Sequence, residues 1–301
     1  MKNGDVSLVQ AETELDIEGI ARDGKWYWVI GSHSMKRKSL KTVEELKKKQ
    51  QERQQDGKEL SEHYNRKRIE TVELEPTRGW LYRVKINNQG KVEQDSIQRG
   101  TLRNIFANHS VLSRFTNIPS KENGIDIEGL AVIPGNNDSE KTKLLVGLRG
   151  PSLRGPRAVV LVIEAKGKIS DDGMPILDIE LKKTRYLALE GRGIRGISEM
   201  ETRGDGYLVL AGPVGDEPTS YQLYHWNGKD TIPEIDDQNA EGNVVKLCEI
   251  PSPADQPKAK AEGVQFLSKD DKKVQFVVVY DSGVNGAASV FACNYETDGS
   301  D

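Results

Sequence analysis

Apolar and polar residues alternate along most of this chain in short runs, each bounded by Gly, Pro, Asn or Asp. That is the signature of β-strands linked by turns. The runs follow a recurring scheme. A charged residue followed by Gly opens an alternating stretch in "DIEGIA" (16–21), "DIEGLA" (126–131), "GIRGIS" (193–198) and "KAEGVQ" (260–265). A turn follows each copy: "RDG", "PGNND", "RGDG" and "SKDD". The strands that come next, "KWYWVIGS", "KLLVGLRG", "GYLVLAGP" and "VQFVVVYDSG", are rich in β-branched and aromatic residues. A third strand completes the common part: "WLYRVKI", "RAVVLVIEA", "YQLYHW" and "SVFACNY". The first three copies also carry a looser fourth segment.

Repeated four-stranded antiparallel units that cannot bury both faces alone predict an all-β fold, a β-propeller of about four to five blades. The turns are too short for the helices of a doubly wound α/β fold. A β-sandwich fits a recurring unit of this length poorly. The charged positions of the four copies are Glu18, Glu128, Arg195 and Glu262, separated by 110, 67 and 67 residues. Much of the longer first interval is a basic insertion at about residues 36–70. Residues 35–68 hold 12 Lys and Arg against 6 Asp and Glu, so the rest carries a net −10 within the total of −4. With few apolar residues, this insertion reads as a solvated helix or a partly disordered segment of the first blade, inside one domain spanning 1–301. The final copy lacks an evident fourth strand. "DVSLVQAETE" (5–14) is the candidate to supply it, or else the tail of a blade that this chain lacks.

Composition narrows the class. With 36% hydrophobic and 30% charged residues, and no apolar run near the ~18 residues of a span, no membrane partner is expected. No secretory signal is evident at the N-terminus, and a cytoplasmic address is expected. Cys248 and Cys293 lie in separate strand-like stretches without metal-ligand spacing, and the expectation is that both are reduced core thiols.

In propeller geometry the segments entering the first strands and the loops after the second strands meet on one face. Two sets should therefore converge there: Asp16, Glu18, Asp126, Glu128, Arg195 and Glu262, and the loop residues His33, Arg149, Arg154 and Asp281. The insertion should overhang the same face as a lid. Five carboxylates at one mouth repel one another unless a cation offsets them. Three readings are open: a structural ring balanced by Arg195, a calcium site formed by Asp16, Glu18, Asp126, Glu128 and Glu262, or acid–base work with His33 and Glu128 as candidates. Arg149, Arg154, Arg195 and Asp281 are the candidate ligand-binding residues, with forked guanidiniums suited to a carboxylate or phosphate. "GRGIRG" (191–196) spells a dinucleotide fingerprint but is followed by a strand-like stretch and not by a helix, so no dinucleotide is expected; nucleic acid is not expected either. No GxSxG, HExxH or P-loop pattern is present.

"DIEGLA", "GLRGP", "GRGIRGI" and "LVLAGP", in this order, resemble the uncharacterised bacterial family catalogued as domain of unknown function 3616, over about residues 13–293. The resemblance implies a propeller-like fold without an established activity, and a further β-rich stretch upstream in most members. "DIEGLA" is also similar, more distantly, to a motif of esterase-like phytase propellers, which implies calcium and phosphoester hydrolysis. Two functions are carried forward: binding of an anionic small molecule or an acidic protein segment at the mouth, and a calcium-dependent phosphoesterase or lactonase-like hydrolase.

Overall fold

The computed structural model describes residues 15–135, 141–200, 205–232 and 243–295. The proposed closing segment 5–14 lies outside them. The chain is all-β apart from a few helices. It opens with β1 (Ile17–Asp23) and β2 (Trp26–Gly31), leaves through β3 (Met35–Lys36), α1 (Val43–Gln55), α2 (Tyr64–Glu70) and β4 (Glu73–Leu74), and returns for β5 (Leu81–Lys85) and β6 (Gln98–Gly100). The short α3 (Arg103–Asn108) leads to the second unit, β7 (Asp126–Val132), β8 (Lys141–Gly150), β9 (Arg157–Ile169) and β10 (Pro175–Ala188). The third unit is β11 (Gly193–Glu199), β12 (Tyr207–Gly212), β13 (Tyr221–Trp226) and β14 (Val244–Ile250); the fourth is β15 (Lys260–Lys269), β16 (Lys273–Asp281) and β17 (Ser289–Asn294). Within each unit successive strands pair antiparallel.

One parallel pairing, Ile176 with Arg99, joins β10 to β6 and merges the first two units into a sheet of eight strands, ordered β1-β2-β5-β6-β10-β9-β8-β7. Its end strands also meet: a Cβ on Gly19 would stand 2.7 Å from Leu130 Cβ. The sheet is therefore nearly closed and barrel-like.

Three apolar layers hold the units together. Trp28, Ile30 and Leu81 pack with Leu130, Leu144 and Val146 between the first and second units. Leu145, Val160 and Val162 pack with Ile194, Tyr207 and Trp226 between the second and third. Leu208, Leu210 and Leu223 pack with Phe266, Phe276 and Val278 between the third and fourth. Strands covered on both faces are apolar throughout: every residue of β7 and of β12 is buried, as expected for doubly covered strands. In β16, by contrast, Val274, Phe276, Val278 and Tyr280 turn inward while their neighbours stay partly or fully exposed, the alternation of a sheet wet on one side.

The insertion forms a solvated helix. α1 buries no residue and is started by a capping box in which Thr42 and Glu45 satisfy each other's backbone N–H groups. The cysteine expectation fails: Cys248 on β14 and Cys293 on β17 form a disulfide across the third and fourth units, with Cα atoms 6.0 Å apart. Two outer strands, distant in sequence, pack edge to edge there, which local spacing could not reveal.

Candidate functional site

The repeated charged residue has a structural cause. In β1 the register steps from Ile17 opposite Gly31 to Gly19 opposite Ile30, leaving Glu18 unpaired on the ladder. The same step isolates Glu128 between Ile127 and Gly129, Arg195 between Ile194 and Gly196, and Glu262 between Ala261 and Gly263. Each unit thus carries a β-bulge at its first strand, and a bulge re-aims a side chain out of the pleat. The glycines after the first three bulges let the next unit approach. A Cβ on Gly129 would stand 2.9 Å from Ile194 Cγ2, and one on Gly196 would stand 3.2 Å from the Val264 nitrogen.

The re-aimed side chains meet. Arg195 Nη1 lies 3.0 Å from Glu128 Oε2 and 3.1 Å from Glu262 Oε1, and Nη2 donates to the Pro213 carbonyl at 2.9 Å. Arg149, on β8, bonds Asp126 through Nη2 and reaches Glu128 through Nη1 at 2.7 Å. Arg78, where the chain returns from the insertion, bonds Asp16 at 2.7 Å and also Glu75. Asp16, Glu18, Asp126, Glu128 and Glu262 are therefore faced by three guanidiniums. Glu18 forms no hydrogen bond or ion pair among the described residues.

The electrostatics follow from this pairing. Burial, reinforced by Glu128, Asp16, Asp126 and Glu262, pushes Glu18 up to about 10, so it carries its proton at neutral pH. Burial also raises Glu128 to about 8 and Asp126 to about 6, with Arg195 and Arg149 pulling each back. Burial opposes the charge of Arg149, but Asp126 and Glu128 more than reverse this and raise it.

These groups line a cavity of about 1570 Å³. Asp16, Glu18, Asp126, Glu128, Arg149, Glu262 and Asp281 all reach it, as do Arg78, Lys121 and Lys260. The base of the insertion contributes Lys36, Arg37, Lys38, Leu40, Arg68 and Ile69, whereas α1 does not. Most of these cations are paired: Lys36 with Glu75, Arg37 with Glu122, Lys38 with Glu73 and Lys121 with Asp216. Arg68 bonds the Ser39 carbonyl and Tyr64 hydroxyl, without a carboxylate. Lys260 has no hydrogen bond or ion pair among the described residues.

Three expected members do not line it: Arg195, held by Glu128, Glu262 and the Pro213 carbonyl, and two that lie elsewhere. Arg154 is exposed in the turn before β9 and does not line the cavity. His33 is buried and faces α3: its Nε2 accepts from the Leu102 N–H at 3.1 Å, so Nδ1 carries the proton and donates to the Gly31 carbonyl at 2.9 Å. Burial lowers it to about 4. A neutral imidazole with both nitrogens engaged, outside the cavity, is not positioned as a base for the mouth. Arg78 was not among the expected residues, although "TRG" at 77–79 repeats the Arg-Gly spelling of 149–150. Among the described residues no group of three or more carboxylate, imidazole or thiol side chains is arranged to hold a metal ion. Arginine nitrogens occupy the positions between Asp126, Glu128 and Glu262 where a cation would bind.

A family model described as a protein of unknown function, DUF3616, matches residues 4–289. No curated protein matches the chain.

Proposed function

Since the chain belongs to the DUF3616 family of proteins of unknown function, we propose its role from geometry: it is a β-propeller of about four to five blades that binds an anionic small molecule, or an acidic segment of a partner protein, beneath the base of its insertion. The four units packed in series, the four equivalent bulges and the glycines between first strands support the propeller reading. In that reading the chain is one domain and residues 36–70 are a lid on the first blade. The disulfide weighs against the cytoplasmic address expected from the sequence, since such bonds persist in oxidising compartments.

One observation carries the binding reading. Arg68 and Lys260 line the cavity without a carboxylate partner among the described residues, beside Glu18, a carboxylic acid that keeps its proton and can donate a hydrogen bond. An anion placed there meets two cations and a neutral donor, while Asp16, Asp126, Glu128 and Glu262 are tied to arginines. Calcium-dependent hydrolysis is the second reading, and the surplus of five mouth carboxylates over three arginines favours it. It would need several of these five carboxylates free of arginine, and among them Glu18 alone is so.

Thermal melts at constant ionic strength with citrate, pyrophosphate, calcium or magnesium separate the two. A ligand at a hundredfold excess over its Kd adds about 2.7 kcal/mol, roughly 4 °C for a chain of this size. One of the anions should raise Tm by that order, and the Arg68→Ala/Lys260→Ala double variant should lose the gain. A rise with calcium alone, absent in Glu18→Gln, would replace the binding reading with the metal-dependent one.

A further inference from the structure

A second cavity, of about 400 Å³, lies on the other side of His33 from the charged mouth and shares no lining residue with the first. Its volume falls within the range of small-molecule sites, roughly 300–1,000 Å³. Its walls are mainly apolar: Met35 and Leu74 come from the paired β3 and β4 at the base of the insertion, Phe106 and Ala107 from α3, and Ile125 from the approach to β7. Met35, Phe106 and Ile125 are almost fully buried. The His33 ring stands edge-on to Phe106 at 5.9 Å and has both nitrogens engaged within the protein, so it presents carbon to the cavity.

One wall residue breaks this pattern. The guanidinium of Arg103 forms no hydrogen bond or ion pair among the described residues, and its Nη2 is buried without a partner. It rests against the backbone of Gly79, where a Cβ would stand 2.5 Å from Arg103 Nε. Glycine at 79 is what makes room for the guanidinium in that position. Its surroundings differ from those of the mouth: burial alone lowers its pKa, and no carboxylate acts in the opposite sense, whereas the arginine Arg149 is raised by its acids. A buried polar nitrogen left unpaired is destabilising, and more so in a charged group. Arg103 thus brings a positive charge to the wall of an apolar cavity where no carboxylate of the chain answers it, and an anion carried in by a ligand would be its charge partner.

We propose that this cavity is a binding site for an amphipathic monocarboxylate, whose hydrocarbon part lies against Met35, Leu74, Phe106 and Ile125 and whose carboxylate is taken by Arg103. The chemistry fits a carboxylate because the guanidinium supplies a fixed positive charge and N–H donors, while a hydrocarbon tail replaces water on the apolar walls. Thr116, whose hydroxyl donates to the Ser113 carbonyl and keeps an acceptor free, and the unbonded side chain of Asn117 stand at the same cavity. They give a polar rim without a second charge. A cationic amphiphile would face Arg103 and be rejected.

Calorimetric titration of the full chain with octanoate, octanol and octylammonium tests this. Octanoate should bind at least tenfold more tightly than octanol, and octylammonium should not bind. Arg103→Leu should bring octanoate down to the affinity of octanol while leaving the circular dichroism spectrum unchanged. Ala107→Trp, which fills the cavity and leaves Arg103 in place, should abolish binding of both and serves as the test should Arg103→Leu fail to fold. Lys260→Ala, at the other cavity, should leave octanoate binding unaltered. Equal affinities for octanoate and octanol, or octanoate binding that survives either Arg103→Leu or Ala107→Trp, would overturn the proposal.

Discussion

Replacing Arg195 with leucine tests whether the mouth is held by its arginines. Arg195 is 2% exposed and Glu128 3%, so solvent cannot substitute for the lost partner. The variant leaves Glu128 with Arg149 alone and Glu262 with no guanidinium partner. Removing one member of a buried ion pair costs about 3–5 kcal/mol when the survivor stays charged. Glu128 is pushed up to about 8 even with Arg195 pulling it down, so below that pH it already carries its proton before the substitution, and the loss shrinks toward that of a charged hydrogen bond, about 1.5–3 kcal/mol. Unfolding entropy near 2.1 cal/mol/K per residue gives about 0.63 kcal/mol/K for 301 residues. Arg195→Leu should therefore lower Tm by roughly 2–5 °C at pH 6 and roughly 5–8 °C at pH 9. Thermal melts paired with urea unfolding at both values measure it. A loss below about 1 kcal/mol at pH 9, or a larger loss at pH 6 than at pH 9, would refute the view that Arg195 neutralises ionised glutamates there.

Glu18 has a folded pKa of about 10 against 4.5 when unfolded, so the folded state holds an extra proton between these values and wild-type stability falls as pH rises through that window. Glu18→Gln keeps the neutral shape at every pH; its Tm advantage should be near zero at pH 4 and grow steadily to pH 9, and a constant offset would contradict the shift. The Cys248–Cys293 bond spans 45 residues, which by loop entropy stabilises by about 4 kcal/mol. Reduction should thus lower Tm by roughly 6 °C; an unchanged Tm with both thiols shown free by mass would deny the bond a role.

The all-β character and its repeated unit were legible because one residue pair carried two jobs. The charged residue of each copy sits in a bulge, and in the first three copies the glycine after it sits where the next unit packs, so both are constrained and both recur at a countable spacing. Arg149 was legible by lying on a strand beside that motif. Arg154 shares its spelling, "LRGP", but falls in a turn, where an identical tripeptide has no fixed direction. His33 misled for a related reason: its positive φ of 57° turns the side chain toward α3, away from the mouth. The disulfide and the Arg103 cavity were not legible at all. Each depends on elements from separate parts of the chain coming side by side, β14 with β17 and the base of the insertion with α3, which no local pattern encodes.

The placement of the one arginine among four equivalent bulges decides which carboxylate is left open. Arg195 belongs to the third unit and reaches the bulge residues of its two neighbours, Glu128 in the second and Glu262 in the fourth. Glu18, in the first unit, is two units away and receives only the repulsion of the cluster. An arginine in the first unit instead would have left Glu262, at the far end, in that position. The site is therefore built asymmetrically. Glu128, Arg195 and Glu262 lock three sheets together, where substitution should be felt as stability, and Glu18 faces the cavity unpaired, where substitution should be felt as a change in what the cavity accepts. A group kept protonated by burial and by its neighbours is also a group whose charge a bound cation or anion can change, since either alters the burial and the repulsion that raised it. Ligand binding at this mouth should accordingly take up or release protons, and titrating Glu18 against ligand in two buffers of different ionisation enthalpy would show that exchange, while Glu18→Gln would abolish it.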